Sequence, residues 1–159
     1  MRDQAKYFIW QRIFRINSRA RWPVHFTSKV TAPHKVTLGR ASYPGDMPGC
    51  YIQADNGIVI GDYCLFGPNC GLVSANHDPM NLKIQMSAEP ITLGHHCWVG
   101  MGAIVLPGVV LGDYTTVAAN AVVTKSFPEG YCILAGNPAR VVKTFGENGR
   151  QPLHCESNL

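Results

Sequence analysis

From Leu93 onward the chain repeats itself every six residues: LGHHCW, VGMGAI, VLPGVV, LGDYTT, VAANAV, VTKSFP. The first place of each hexad holds Leu93, Val99, Val105, Leu111, Val117 and Val123, all large and apolar. The fifth holds Cys97, Ala103, Val109, Thr115, Ala121 and Phe127, most of them small or branched. A helix places apolar residues three and four apart, and a half-buried strand alternates them. A period of six does neither. It fits short flat strands joined by turns, with one hexad on each side of a coil. Gly94, Gly100 and Gly112 follow the large residue, where turn conformations closed to residues with a Cβ are expected.

The same beat is present earlier in other phases. Phe26, Ala32 and Leu38 pair with Val30, Val36 and Ser42, and Ile60 and Phe66 pair with Cys64 and Cys70 before Leu72 opens the next hexad. It slips twice, between Leu38 and Ile60 and between Leu72 and Leu93. The first slip contains "SYPGDMPGCYIQADNG" and predicts a loop over about 43–57. The second contains "SANHDPMNLKIQMSAEP" and predicts a loop over about 76–90. Loops that interrupt a rigid scaffold often carry function.

With 159 residues the chain is one domain by size, and 46% hydrophobic residues suffice for a core. It has neither a signal-peptide core nor an apolar run that spans a bilayer, so a cytoplasmic protein is expected. The six cysteines match no zinc spacing. Cys64, Cys70 and Cys97 fall where the repeat wants a small buried residue and read as reduced thiols.

Charge is unevenly placed. Residues 1–21 carry Arg2, Lys6, Arg12, Arg15, Arg19 and Arg21 against Asp3 alone, a local +5, while the other 138 residues sum to −1. Residues 1–22 read as a basic amphipathic helix ended by Pro23. Ile9 or Trp10, Ile13, and Ile16 or Asn17 lie on one face, with Arg12, Arg15 and Arg19 on another. It serves either to cap an open coil or to meet an anionic membrane surface. Residues 23–145 form the repeat domain with its two loops, and 146–159 an aperiodic tail. No nucleic-acid-binding motif accompanies the basic segment.

Six unbroken hexads resemble the left-handed parallel β-helix of the hexapeptide-repeat acyltransferases, and the resemblance covers roughly residues 24–143. It implies an all-β fold in which three hexads make one triangular coil, giving about five coils. It also implies a homotrimer with its site between adjacent coils, acetyl-CoA as co-substrate, and no required metal.

His77 stands where the second slip begins. A neutral imidazole can take a proton from a hydroxyl near pH 7, as few side chains can. In the resembled family a histidine at this place is the general base that activates an acceptor hydroxyl for attack on the acetyl-CoA thioester. "SANHDP" followed by "ITLGHHCWVG" matches that pattern in order and spacing. Asp78 or Glu89 could orient the imidazole, or another segment could. Gln53, Asn56, Asn76 and Asp78 are candidates for acceptor contact, although Asn-Gly is also an ordinary turn signal. His95 and His96 are adjacent, so their side chains diverge, which argues against a shared zinc of the kind the gamma-class carbonic anhydrases hold.

On the donor side, "VVTKSFPEG" and "AGNPARVVK" resemble the family's coenzyme A segment. The resemblance implies Thr124 and Lys125 near the nucleotide end, Arg140 on phosphate, backbone groups near Gly100 and Ala119 on the pantetheine arm, and Trp98 walling the channel. The bland readings are solvated charges for Lys125 and Arg140 and subunit packing for Trp98. A backbone N–H near Gly100 or Met101 would meet the oxyanion, and Met101 stands where relatives often carry a small or hydroxyl residue.

The acceptor is expected to be a sugar hydroxyl of a capsular, exopolysaccharide or lipopolysaccharide glycan. The residues ahead of the coil are too few for the helical domain of serine acetyltransferases, or for the N-terminal segment of maltose- and galactoside-type enzymes. An antibiotic- or xenobiotic-modifying O-acetyltransferase and a non-catalytic β-helix scaffold are the alternatives.

Overall fold

A computed structural model of the chain describes residue 7 and residues 9–146. The hexads become two- to four-residue strands wound into coils of three sides. β1 (Lys29–Thr31) and β2 (Val36–Leu38) make two sides of the first coil, and β3 (Tyr51–Gln53), β4 (Ile58–Ile60) and β5 (Leu65–Phe66) complete the second. The third starts with β6 (Gly71–Val73), leaves the coil for a hairpin of β7 (His77–Asp78) and β8 (Asn81–Gln85), then resumes with β9 (Ile91–Leu93) and β10 (Trp98–Val99). β11 (Ile104–Val105), β12 (Val110–Leu111) and β13 (Thr116–Val117) form the fourth. The fifth has β14 (Val122–Val123), a bridge from Phe127 to Leu111, and β15 (Cys132–Ala135). β16 (Arg140–Thr144) then turns back antiparallel on β15.

The sides stack into three parallel sheets whose registers align like residues. Val30, Ile52, Leu72, Val105 and Val123 form one inward column. Leu38, Ile60, Leu93 and Leu111 form the second, and Phe66, Val99, Val117 and Leu134 the third. These columns supply most of the large side chains of the core, and burial of each contributes about 1.5–3 kcal/mol. The fifth-place residues Cys97, Ala103, Val109, Thr115 and Ala121 are also buried. Cys50, Cys64, Cys70, Cys97 and Cys132 are free, buried thiols, and the Cys70 thiol donates to Cys50 Sγ at 3.7 Å, which holds the Cys50 thiol below its ordinary range and pushes the Cys70 thiol above it.

Three expectations change. Phe26 does not open an interior column. It is exposed on a turn and stacks on Trp10 at 4.5 Å, because Val24 fills the interior there. The first loop is shorter than 43–57, since Tyr51–Gln53 is a strand in register with β1 and β6 and Ile52 joins the core. The departure is confined to 43–50, and residues 54–57 form a corner turn.

The helix expected over residues 1–22 is, among the described residues, helical at Tyr7 and of π type over Ile9–Ile13, and it gives way to bends and turns from Phe14 onward. Arg15 and Asn17 adopt left-handed backbone (φ 58° and 55°), which ends a right-handed helix. The buried Gln11 side chain donates to the Trp22 carbonyl and accepts from the Val24 amide, folding the segment back on itself. The tail at 147–159 lies outside the described residues, as do residues 1–6 and 8.

Leu72→Ala removes a fully buried side chain between Ile52 and Val105, in mid-stack where neighbouring coils cannot collapse inward. It is expected to cost about 2–5 kcal/mol in urea denaturation.

Candidate functional site

The hairpin that carries His77 leaves the coil between the first side (β6) and the second (β9), and polar side chains hold its base. Asn56, on the corner turn one coil below, donates through Nδ2 to the carbonyls of Ser74 and Met86, 3.0 Å each, one on either limb of the excursion. Its own amide N–H donates to Ser74 Oγ. Gln53 Oε1 accepts from the Ala75 N–H at 2.9 Å, and Gln85 Nε2 donates to Asp55 Oδ2 at 3.1 Å. Met86 N–H closes the ring on the Asn76 carbonyl at 2.8 Å. Gln53 and Asn56 therefore have polar groups engaged in holding the loop.

Farther out, β7 and β8 pair with His77 opposite Gln85. Asp78 Oδ1 accepts from the amides of Met80 and Asn81, which fastens the hairpin tip and leaves the carboxylate turned to that task. The His77 imidazole is exposed and makes no hydrogen bond or ion pair with any described residue. Glu89 is exposed as well and has none.

Trp98, Gly100, Met101 and Ala119 occupy a different edge, at or just before the turns that join the third side of one coil to the first side of the next. Trp98 is half exposed on β10. The Gly100 N–H is already spent on the ladder, donating to the Val117 carbonyl at 2.8 Å. The amides of Met101 and Ala119, one coil apart, have no partner among the described residues. Each lies over a glycine: a Cβ on Gly67 would come within 2.5 Å of Met101 N, and one on Gly100 within 2.9 Å of Ala119 N. Two free N–H groups above side-chain-free positions make a cradle suited to the amide and thioester carbonyls of an acyl-pantetheine arm.

Thr124 and Lys125 follow β14 and are exposed, with Lys125 Nζ 5.5 Å from the centre of the Phe127 ring. Arg140 opens β16, exposed, and its Nη1 donates to the Ala139 carbonyl at 3.0 Å. One copy of the chain thus puts His77 and the Met101–Ala119 cradle on different edges of the coil.

The third edge carries a feature not anticipated from the sequence. Tyr63, His96, Tyr114 and Tyr131 stack ring on ring with centroids 5.3, 4.7 and 5.0 Å apart, and Arg40 lies 5.7 Å over the Tyr63 ring. All four rings project from left-handed turn residues. The signal was the aromatic at the turn in "GDY", "GHH", "GDY" and "EGY". On the same edge His95 Nδ1 accepts from the Asp62 N–H, and the Arg40 backbone and side chain hold the Asp62 carboxyl below its ordinary range. Among the described residues no three His, Cys, Asp or Glu side chains are grouped to hold a metal.

Residues 90–125 match the family model "Bacterial transferase hexapeptide (six repeats)". The provisionally named colanic acid biosynthesis acetyltransferase WcaF of Escherichia coli K12 is 35% identical over 115 residues, covering 72% of this chain and 62% of that protein. Galactoside O-acetyltransferase of E. coli K12 is 32% identical over 103 residues, 62% of this chain and 50% of that protein. The chain therefore spans less than two thirds of the length of these relatives. Among solved structures, a maltose O-acetyltransferase from Clostridium difficile superposes with a TM-score of 0.65 at 29% identity, covering 76% of this chain and 64% of that one. A galactoside acetyltransferase in complex with coenzyme A superposes with a TM-score of 0.63 at 25% identity, covering 84% and 70%. Strand register, repeat and likeness agree: the chain belongs to the hexapeptide-repeat family.

Proposed function

We propose that the chain is an acetyl-CoA-dependent O-acetyltransferase that moves an acetyl group to a sugar hydroxyl, of a bacterial surface polysaccharide or its precursor, in the cytoplasm. The observation that carries this reading is a hairpin that leaves the in-register stack between β6 and β9, braced at its base, and presents an unpartnered imidazole. The names of the relatives point to the acceptor class, one to colanic acid and another to a galactoside.

In this reading His77 takes the proton of the acceptor hydroxyl as its oxygen attacks the thioester carbonyl carbon. The unspent Met101 N–H is the donor for the oxyanion that develops, in preference to Gly100, whose N–H is held by Val117. The Ala119 N–H meets a pantetheine carbonyl. As the C–S bond breaks, the imidazolium returns its proton to the departing sulfur, so coenzyme A leaves as the thiol. Lys125 and Arg140 supply cations for its phosphates, with Thr124 beside them. Trp98 walls the arm. Asn76 and Asp78 flank His77 and contact the acceptor through groups the hairpin leaves free. His77 and the cradle lie on different edges of one coil, so a complete site takes both from adjacent copies. A homotrimer of left-handed coils supplies that arrangement.

His77→Ala is expected to bind acetyl-CoA as wild type does in calorimetry while acetyl transfer to a panel of sugars falls about 10²–10⁴-fold. Undiminished transfer removes the imidazole from the mechanism. An absence of acetyl-CoA binding in both proteins turns the reading toward a scaffold, and transfer to aminoglycoside or phenolic hydroxyls instead of sugars toward a xenobiotic acceptor.

Asn56→Ala frees both limbs of the hairpin base. Turnover is expected to fall about tenfold or more with acetyl-CoA affinity unchanged, and the Met86 amide to exchange its hydrogen faster while the core strands keep their protection.

A further inference from the structure

We infer that the N-terminal end of the coil docks on an anionic lipid bilayer, through a surface formed by residues 9–26. The inference stands apart from the proposed reaction and needs no step of it.

A stack of coils has two apolar ends, and something must cover the first. Ala20, Trp22 and Val24 do so, at 2%, 7% and 0% exposure, packed on Val30, Val36, Leu38 and Tyr43. Trp22 Nε1 donates to the Pro44 carbonyl at 2.8 Å, which fixes the lid. The apolar residues just before it are not part of this cover. Ile9, Ile13, Phe14 and Ile16 are 45%, 63%, 60% and 36% exposed, and Phe26 is 42% exposed. Phe14 and Phe26 both pack on Trp10, which gathers three aromatic rings at this end of the molecule. Of the turn at Ile9–Ile13 only Gln11 is buried.

Arginines are interleaved with these side chains. Arg12, Arg15, Arg19 and Arg21 are exposed and make no hydrogen bond or ion pair with any described residue. Residues 4–45 contain no Asp or Glu at all. Two open hollows lie between the arginines and the first coil. One is lined by Arg19, Arg21 and His34 over a floor of Trp22, Val36 and Leu38, and the other by Arg15, Arg19 and Lys29.

Large apolar side chains set among unpaired guanidinium groups suit a boundary where acyl chains meet anionic headgroups. A nucleic acid would match the charge but leave Ile13 and Phe14 without an apolar environment. Residues 9–26 contribute exposed arginines and no carboxylate, and the Asp46 that lines the hollow beside Trp10 and Phe26 is buried. The exposed charge is therefore complementary to a lipid surface rather than to a second copy of itself, whose arginines would repel it.

The test is sedimentation of the full-length protein with vesicles of phosphatidylcholine, or of phosphatidylcholine and phosphatidylglycerol at about 7:3. The expected result is pelleting with the anionic vesicles alone. About 0.5 M NaCl should release the protein, and soluble glycerol phosphate at millimolar levels should not. Two variants are run beside it, Ile13→Ser with Phe14→Ser, and Arg12→Gln with Arg15→Gln and Arg19→Gln. Both change exposed residues, and each should lower partitioning by about tenfold or more with an unchanged thermal transition. Wild-type protein that stays in the supernatant with anionic vesicles overturns the inference. Displacement by glycerol phosphate also overturns it, in favour of a soluble phosphate ligand. A smaller oligomer for the Ile13 and Phe14 variant in light scattering assigns the face to contact between copies and overturns it too. Loss of acetyl transfer without loss of pelleting would bear on the reaction alone.

Discussion

Everything in this molecule depends on the in-register parallel ladder. A parallel coil places each residue directly above its counterpart one turn earlier, so every inward position becomes a column of like side chains. Leu72 lies between Ile52 and Val105, and Val99 between Phe66 and Val117. One hexad out of phase would turn an apolar column outward, because side chains alternate faces along each strand. Extra residues are accommodated only where the chain leaves the ladder at a corner and returns in register. The hairpin between β6 and β9 does this, and the ladder closes behind it with Ile58 opposite Ile91.

That rule joins scaffold to chemistry. Neighbouring coils hold the ends of the excursion, and the Asn56 carboxamide ties both limbs to the turn below, so a short hairpin can hold an imidazole clear of the stack. On another corner the same geometry leaves amides free. Ladder hydrogen bonds use the N–H of Gly67 and Gly100, and the turn residues above them, Met101 and Ala119, keep theirs. Only glycine fits beneath, for space and not for the turn conformation expected of Gly94, Gly100 and Gly112, since none of these has a positive φ and a Cβ would meet the backbone of the next coil. Donors of this kind arise from the backbone of a repeat and ask little of side-chain identity.

Much of this was legible in the residues and some was not, for identifiable reasons. The first and fifth places of the hexads from Leu93 to Val123 gave the columns directly, because burial in such a coil follows the period. Phe127, read as a fifth-place residue, instead pairs with Leu111 of a first-place column, because the chain shortens by two residues after Val123. The break at His77 was equally plain. Strand β3 was hidden because its three residues fall inside a stretch whose phase had slipped, and only its neighbours β1 and β6 declare it a side of the coil. Gln53 and Asn56 stood out as polar residues near a loop, yet nothing local could say that their polar groups would be turned to bracing it. The helix read into residues 1–22 followed from spacing alone. It does not continue past Ile13, because Gln11 finds backbone partners at Trp22 and Val24 that a continuous helix would forgo.

The sequence by itself determined the coil, its period, the points at which it is interrupted and the positive charge gathered before it, since each is a property of residue order along one strand or turn. The tertiary structure decided which groups remain free. The Met101 amide and the His77 ring are available, whereas the Gly100 amide and Oδ1 of Asp78 are engaged, because hydrogen-bond saturation depends on what the next coil or the hairpin tip presents. Likewise, that Trp22 rather than Ile13 covers the end of the stack depends on where the chain folds back, and no spacing of apolar residues encodes that.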